Sequence, residues 1–116
     1  MKDKFDDKYY LERIIWHCNN VYDFTERFHG SLKVLMSDLA YLQSVVLSIE
    51  QIGENAKKLS NVLVEKYDRG YWHEVCKTRD KLTHHYDGID IGLVWEIITV
   101  DIPKLKSFCE KILQEI

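Results

Sequence analysis

The chain has 116 residues, 46% hydrophobic and 30% charged, with a formal net charge of −3, which fits one globular domain over residues 1–116, able to bury about two-thirds of its unfolded surface. A net negative charge argues against a general polyanion-coating protein, whose affinity comes largely from Lys and Arg neutralising phosphate. Apolar runs such as Val45-Val46-Leu47 fall far short of the ~20 residues of a membrane helix, and no apolar leader follows Met1-Lys2-Asp3-Lys4, so a cytoplasmic location without membrane contact is expected.

From Asp7 to Phe28, Leu11, Ile14, Ile15, Cys18, Val21, Tyr22 and Phe28 recur at the three-and-four spacing of one helical face. Gly30 is expected to end that helix by taking the left-handed conformation, with Ser31 or Ser37 capping the next one. A second long helix is predicted through Leu39, Leu42, Val45, Val46, Ile49, Ile52, Ala56 and Leu59. Its interior Gly53, which costs about 1 kcal/mol relative to Ala, marks a place where another helix backbone comes close. Asn61 to Tyr67 reads as a short helix closed by Asp68-Arg69-Gly70.

A third main helix is predicted from Tyr71 or Trp72, with Trp72, Val75, Cys76 and Leu82 on its apolar side and Arg79 between them in the period. Asp87-Gly88 punctuates it. Asp90 is expected to cap a helix through Leu93, Val94, Ile97 and Ile98, and Asp101 to cap the last one, with Pro103 in its first turn. No alternating segment competes with this pattern. The fold class is therefore all-α, an antiparallel helical bundle.

Between Lys57 and Tyr86 the chain holds seven Lys and Arg against four Asp and Glu, plus His73, His84 and His85. Within that basic third lies Arg79-Asp80-Lys81-Leu82-Thr83-His84-His85-Tyr86. On a continuous helix Arg79, Thr83 and Tyr86 share a face, whereas His84 sits about 140° from Arg79. The two meet at one phosphate only if the helix loosens before Asp87-Gly88 or if two chains contribute. The plainer alternative pairs Arg79 with a buried acid, hydrogen-bonds one histidine in the core and leaves Tyr86 as a packing residue.

Other chemistries have less support. His73 and Cys76 with His84 or His85 lack a second close pair of zinc-ligand spacing. Cys76 falls on the apolar side, where a thiol is inert, and Cys18, Cys76 and Cys109 form no disulfide pattern. Glu50 and Glu54, one turn apart, read as a solvated surface pair. There is no Gly-rich phosphate loop.

Arg, any four residues, His, any one, Tyr resembles the signature of the HEPN superfamily in its HepT-like toxin branch. Residues 52–60, Ile-Gly-Glu-Asn-Ala-Lys-Lys-Leu-Ser, resemble that branch's second-helix signature. Trp72 resembles the tryptophan that opens its motif helix, and residues 86–105, including Trp95 and Pro103, are similar to the segment after the motif. The register runs from about Leu11 to Leu113. The resemblance implies a HEPN-like fold and a metal-independent endoribonuclease toxin of a type VII-like toxin–antitoxin pair. It implies a homodimer with two Arg–His pairs facing a shared cleft, RNA as substrate and no cofactor. Its antitoxin would be a minimal nucleotidyltransferase of the MntA kind, which silences the toxin by AMPylation of the motif tyrosine.

Carried onto this chain, Arg79 binds and polarises the scissile phosphate, His84 is the acid–base group and Tyr86 is the modified residue. Asp80, a supporting residue, stands where many relatives have Asn; it either orients Arg79 or opposes RNA by its charge. Tyr86 anchors the register that selects His84 over His85. Tyr71, Trp72 and Trp95 are the expected aromatic anchors of a dimer interface. The alternative function is a non-catalytic helical subunit that binds nucleotide or docks the nucleotidyltransferase. Arg79 and His84 together favour the enzyme; Asp80 and the net charge leave room for the subunit.

Overall fold

The computed structural model describes residues 6–82 and 88–116, and every element among them is helical. Helix α1 (Asp7–Arg27) packs antiparallel to α3 (Leu39–Ala56), with short α2 (Leu32–Ser37) between them in the chain. Then come α4 (Asn61–Lys66), α5 (Arg69–Cys76), α6 (Thr78–Leu82), α7 (Ile91–Glu96) and α8 (Ile102–Glu115). Helix α1 lies between α3 and α8, while α5 and α6 lean on α3. The all-α helical bundle expected from the periodicity is the observed fold. No described helix is long and apolar enough to cross a membrane.

The core follows the apolar faces. Leu11, Ile14, Cys18 and Val21 of α1 meet Val45, Ile49 and Ile52 of α3 and Leu105, Cys109 and Ile112 of α8, all buried. At one end Asp7 accepts hydrogen bonds from the Ser60 amide (2.7 Å) and hydroxyl (2.6 Å), tying the start of α1 to the cap of α4. At the other end Tyr41 is fully buried and its hydroxyl lies 2.8 Å from Thr25 Oγ1.

Several boundaries differ from the sequence expectation. Helix α1 ends in a paired 5→2 and 6→1 closure, His29 N to Glu26 O (3.2 Å) and Gly30 N to Thr25 O (2.7 Å), and the left-handed residue is His29 (φ 50°), not Gly30. Gly30 is needed for space instead: a Cβ there would lie 2.3 Å from Tyr41 Oη. Ser31 caps α2 as expected, but Asp38, not Ser37, caps α3 by accepting from the Ala40 and Tyr41 amides. Helix α5 starts at Arg69, because Asp68 takes a left-handed conformation (φ 72°) and caps it through the Tyr71 amide.

The third main helix is two pieces. The Lys77 amide bonds both His73 O (3.2 Å) and Glu74 O (3.1 Å), a tightened turn that separates α5 from α6. Asp90 caps α7 as expected. Asp101 caps nothing, since its backbone is helical and makes no side-chain cap. A π-helical turn over Ile97–Asp101 joins α7 and α8 into one run, with the Ile102 amide reaching Ile97 O five residues back. Pro103 explains the wide turn: it lacks an N–H and its ring would clash with the carbonyl four residues earlier in a regular helix.

Gly53 does mark a close approach. The carbonyl oxygens of Val75 and Cys76 lie 3.6 Å from where its Cβ would be, which is ordinary contact.

Candidate active site

Helix α6 is short and held from both ends. Its Leu82 is fully buried, it packs on α3, and at its start the Thr78 hydroxyl donates to Glu74 O (3.2 Å). With Leu82 inward, Arg79 and Asp80 fall on the exposed side. Arg79 Nε donates to Glu50 Oε2 of α3 at 3.2 Å, and 52% of the arginine side chain stays exposed. Beside it Lys81 reaches back to Glu74; that hydrogen bond holds the Glu74 carboxyl below its usual range.

Glu50 is the residue that sequence reasoning missed. Read as a solvated carboxylate, it is 30% exposed and braces Arg79. Its neighbour Glu54 does pair at the surface, with Lys57 (3.3 Å). The pairing of Arg79 with an acid was one of the alternatives open in the sequence, but which acid depends on how α3 and α6 pack. His84 and Tyr86, with Thr83, His85 and Asp87, lie outside the described residues.

Trp72 is not an interface anchor. It is 1% exposed, with its ring 5.6 Å from that of Phe108. Tyr71 is half-buried edge-on to Phe108 (5.1 Å), where burial raises its hydroxyl pKa. Burial also pushes the Cys18 thiol up to about 12 and raises Cys76 and Cys109, so the described thiols are poor nucleophiles. Among the described residues no three His, Cys, Asp or Glu side chains converge as a metal site.

Arg79 presents a cationic fork, half open to solvent and held by a carboxylate on a neighbouring helix, a group whose geometry can pair with an anion. Comparison with known proteins places the whole chain in a class. A family model described as Ribonuclease HepT-like matches residues 14–112. The chain is similar to a provisionally named RNase of Caldanaerobacter subterraneus subsp. tengcongensis, 36% identical over 107 residues, covering 91% of this chain and 93% of that protein. A provisionally named RNase of Methanocaldococcus jannaschii is 34% identical over 113 residues (97% of this chain, 92% of that one). A ribonuclease HepT of Thermococcus cleftensis, also provisionally named, is 31% identical over 109 residues (94% and 97%). No solved structure matches significantly. The chain belongs to the HepT-like ribonuclease family, a class of nucleases acting on RNA.

Proposed function

We propose that this protein is the endoribonuclease toxin of a type VII-like toxin–antitoxin pair, a single cytoplasmic HEPN-like domain that cleaves RNA without a metal. Arg79 binds the scissile phosphate and stabilises charge that grows on its oxygens. His84 takes the proton of the ribose 2′-OH, a role open to histidine because imidazoles as a class exchange protons near neutral pH. The freed oxygen attacks the adjacent phosphorus and the P–O5′ bond breaks. A second histidine of a homodimer protonates the leaving 5′-oxygen, giving a 2′,3′-cyclic phosphate and a 5′-hydroxyl. The need for a 2′-OH makes the reaction specific to RNA. AMPylation of Tyr86 by an MntA-like nucleotidyltransferase antitoxin silences it, because the added phosphate competes for Arg79 at high effective concentration.

The observation that carries this reading is Arg79 itself, exposed on an anchored α6 and braced by Glu50. Purified protein is incubated with RNA and a chelator beside Arg79→Ala and His84→Ala, each checked for unchanged helix content. Loss of about 10²–10⁴-fold in rate is expected for His84→Ala, and a comparable loss for Arg79→Ala; full activity in His84→Ala, or activity that chelator abolishes, overturns it. Intact mass after co-expression with the nucleotidyltransferase, with Tyr86→Phe as the control, tests the silencing. Light scattering tests the dimer.

A second reading, the non-catalytic subunit, draws support from the acids around the same arginine. Glu50 lies 3.2 Å from Arg79, and exposed Asp80 is its neighbour in the chain. Both charges oppose phosphate. An RNA-inert protein that still binds the nucleotidyltransferase would favour this reading.

A further inference from the structure

A groove of about 670 Å³ opens where the end of α3, the start of α4 and α5 meet. Lys57, Asn61, Arg69 and His73 line it, Cys76 and buried Trp72 lie deeper, and no carboxylate is among its described lining residues. The two fixed cations are lightly engaged. Lys57 pairs with Glu54 at 3.3 Å and Arg69 with Glu65 at 3.0 Å, and all four side chains are at least 44% exposed. Such surface pairs contribute little and exchange readily for a phosphate.

Trp72 supplies an independent observation. Its indole Nε1–H is buried and, among the described residues, has no hydrogen-bond partner. Buried donors are nearly always paired, so this orphan in a residue that lines the groove is an unmet donor beneath a polar surface. Phe108 packs against the ring from α8, so the indole has little freedom to turn elsewhere.

The groove lies close to Arg79 in the chain. Arg69, His73 and Cys76 follow at steps of four and three along one side of α5, and the tightened turn at Lys77 leads from there into α6, which carries Arg79. Ten residues at the helical rise span about 15 Å, which sets the scale of the step at a few nucleotides of single strand.

We propose that this groove is a subsite for the RNA strand flanking the cleaved bond. Lys57, Arg69 and His73 hold backbone phosphates, and the buried Trp72 indole beneath them reports the strand's arrival. The proposal rests on the ribonuclease reading, and its test separates the two. The probe is a 2′-O-methyl oligouridylate of about ten nucleotides, which cannot be cleaved and matches the site sizes of single-strand binders. Binding is followed by fluorescence anisotropy over a salt series for the parent, Lys57→Glu, Arg69→Glu and, as a remote control on α2, Lys33→Glu. In parallel, the indole N–H resonances of isotopically labelled protein are followed on titration with the oligomer or with AMP, with Trp72→Phe assigning the signal.

Each groove variant is expected to bind the oligomer several-fold more weakly, with the salt slope falling by about 0.7 for each phosphate no longer neutralised. Lys33→Glu should leave the slope unchanged, and the oligomer should move the Trp72 resonance. Equal affinity and slope in the parent and both groove variants overturns the subsite, even if the unmodified oligomer is cleaved. AMP moving the Trp72 resonance as far as the oligomer, with no tighter binding of the longer probe, overturns it in favour of a free-nucleotide site. Groove-dependent binding without cleavage of the unmodified oligomer supports the groove as an RNA-binding site and counts against the ribonuclease reading.

Discussion

Replacing Glu50 with Gln removes a charge beside Arg79 while leaving a carbonyl that can accept the same Nε–H hydrogen bond. The arginine therefore stays oriented, and the change isolates electrostatics. A phosphate on the far side of the guanidinium would lie ~6 Å from the Glu50 carboxylate, where Coulomb's law gives about 0.7 kcal/mol of repulsion in water and roughly twice that at a partly shielded surface. Removing it should tighten RNA binding by roughly three- to tenfold. The stability cost is small: 52% of the Arg79 side chain is exposed, and pairs of that kind contribute about 1 kcal/mol or less. Anisotropy with a non-cleavable RNA measures the first effect and urea unfolding the second. Unchanged or weaker RNA affinity would refute the placement of phosphate at Arg79. A stability loss above about 2 kcal/mol would show that the pair behaves as a buried one.

Three further outcomes concern the scaffold. Gly30→Ala forces a methyl to 2.3 Å from Tyr41 Oη and displaces a fully buried ring and its bond to Thr25; a loss of about 2–5 kcal/mol is expected in urea melts, from overpacking plus a stranded hydroxyl. Gly53→Ala should stabilise by up to about 1 kcal/mol, since the methyl meets the carbonyls at 3.6 Å, while Gly53→Val should destabilise in the same melts. His17 is buried and desolvation lowers its pKa from 6.5, so the unfolded chain binds its proton first as pH falls. Stability from this group is therefore full above pH 6.5 and declines below it until the folded pKa is passed, and His17→Gln should flatten that part of a stability-versus-pH curve.

The long helices were legible because periodicity is a local record of burial, and α1, α3 and α4 lie within a few residues of where the apolar spacing puts them. Capping residues were legible where one candidate stood alone, as at Asp90, and ambiguous where Ser37 and Asp38 are adjacent. The joining of α7 to α8 was hidden because proline at the start of a helix and proline after a widened turn give the same local pattern. For the site, the string from Arg79 to Tyr86, taken in order with residues 52–60, Trp72 and residues 86–105, carried the resemblance to the family, whereas Glu50 could not be paired with Arg79 without the packing of α3 on α6. The basic third was visible as composition. That Lys57, Arg69 and His73 of this stretch share one groove over a buried indole needed the fold.

The widened turn between Glu96 and Ile102 has a consequence for how the gene can change. A π-helical turn holds one residue more than the α-helical turn it replaces, so it behaves like an insertion already absorbed. Losing one residue there would let the rod close into regular α-helix with Val94 on one side and Leu105 and Cys109 on the other still directed inward. Pro103 stands in the way: in the closed form its ring would press on the carbonyl a turn earlier, while Thr99 already turns its hydroxyl back to Trp95 O at 2.9 Å. Proline and surplus residue are thus expected to come and go together among relatives. A single-residue gap at this point in an alignment would mark exchange between two helix types, not a boundary between two helices.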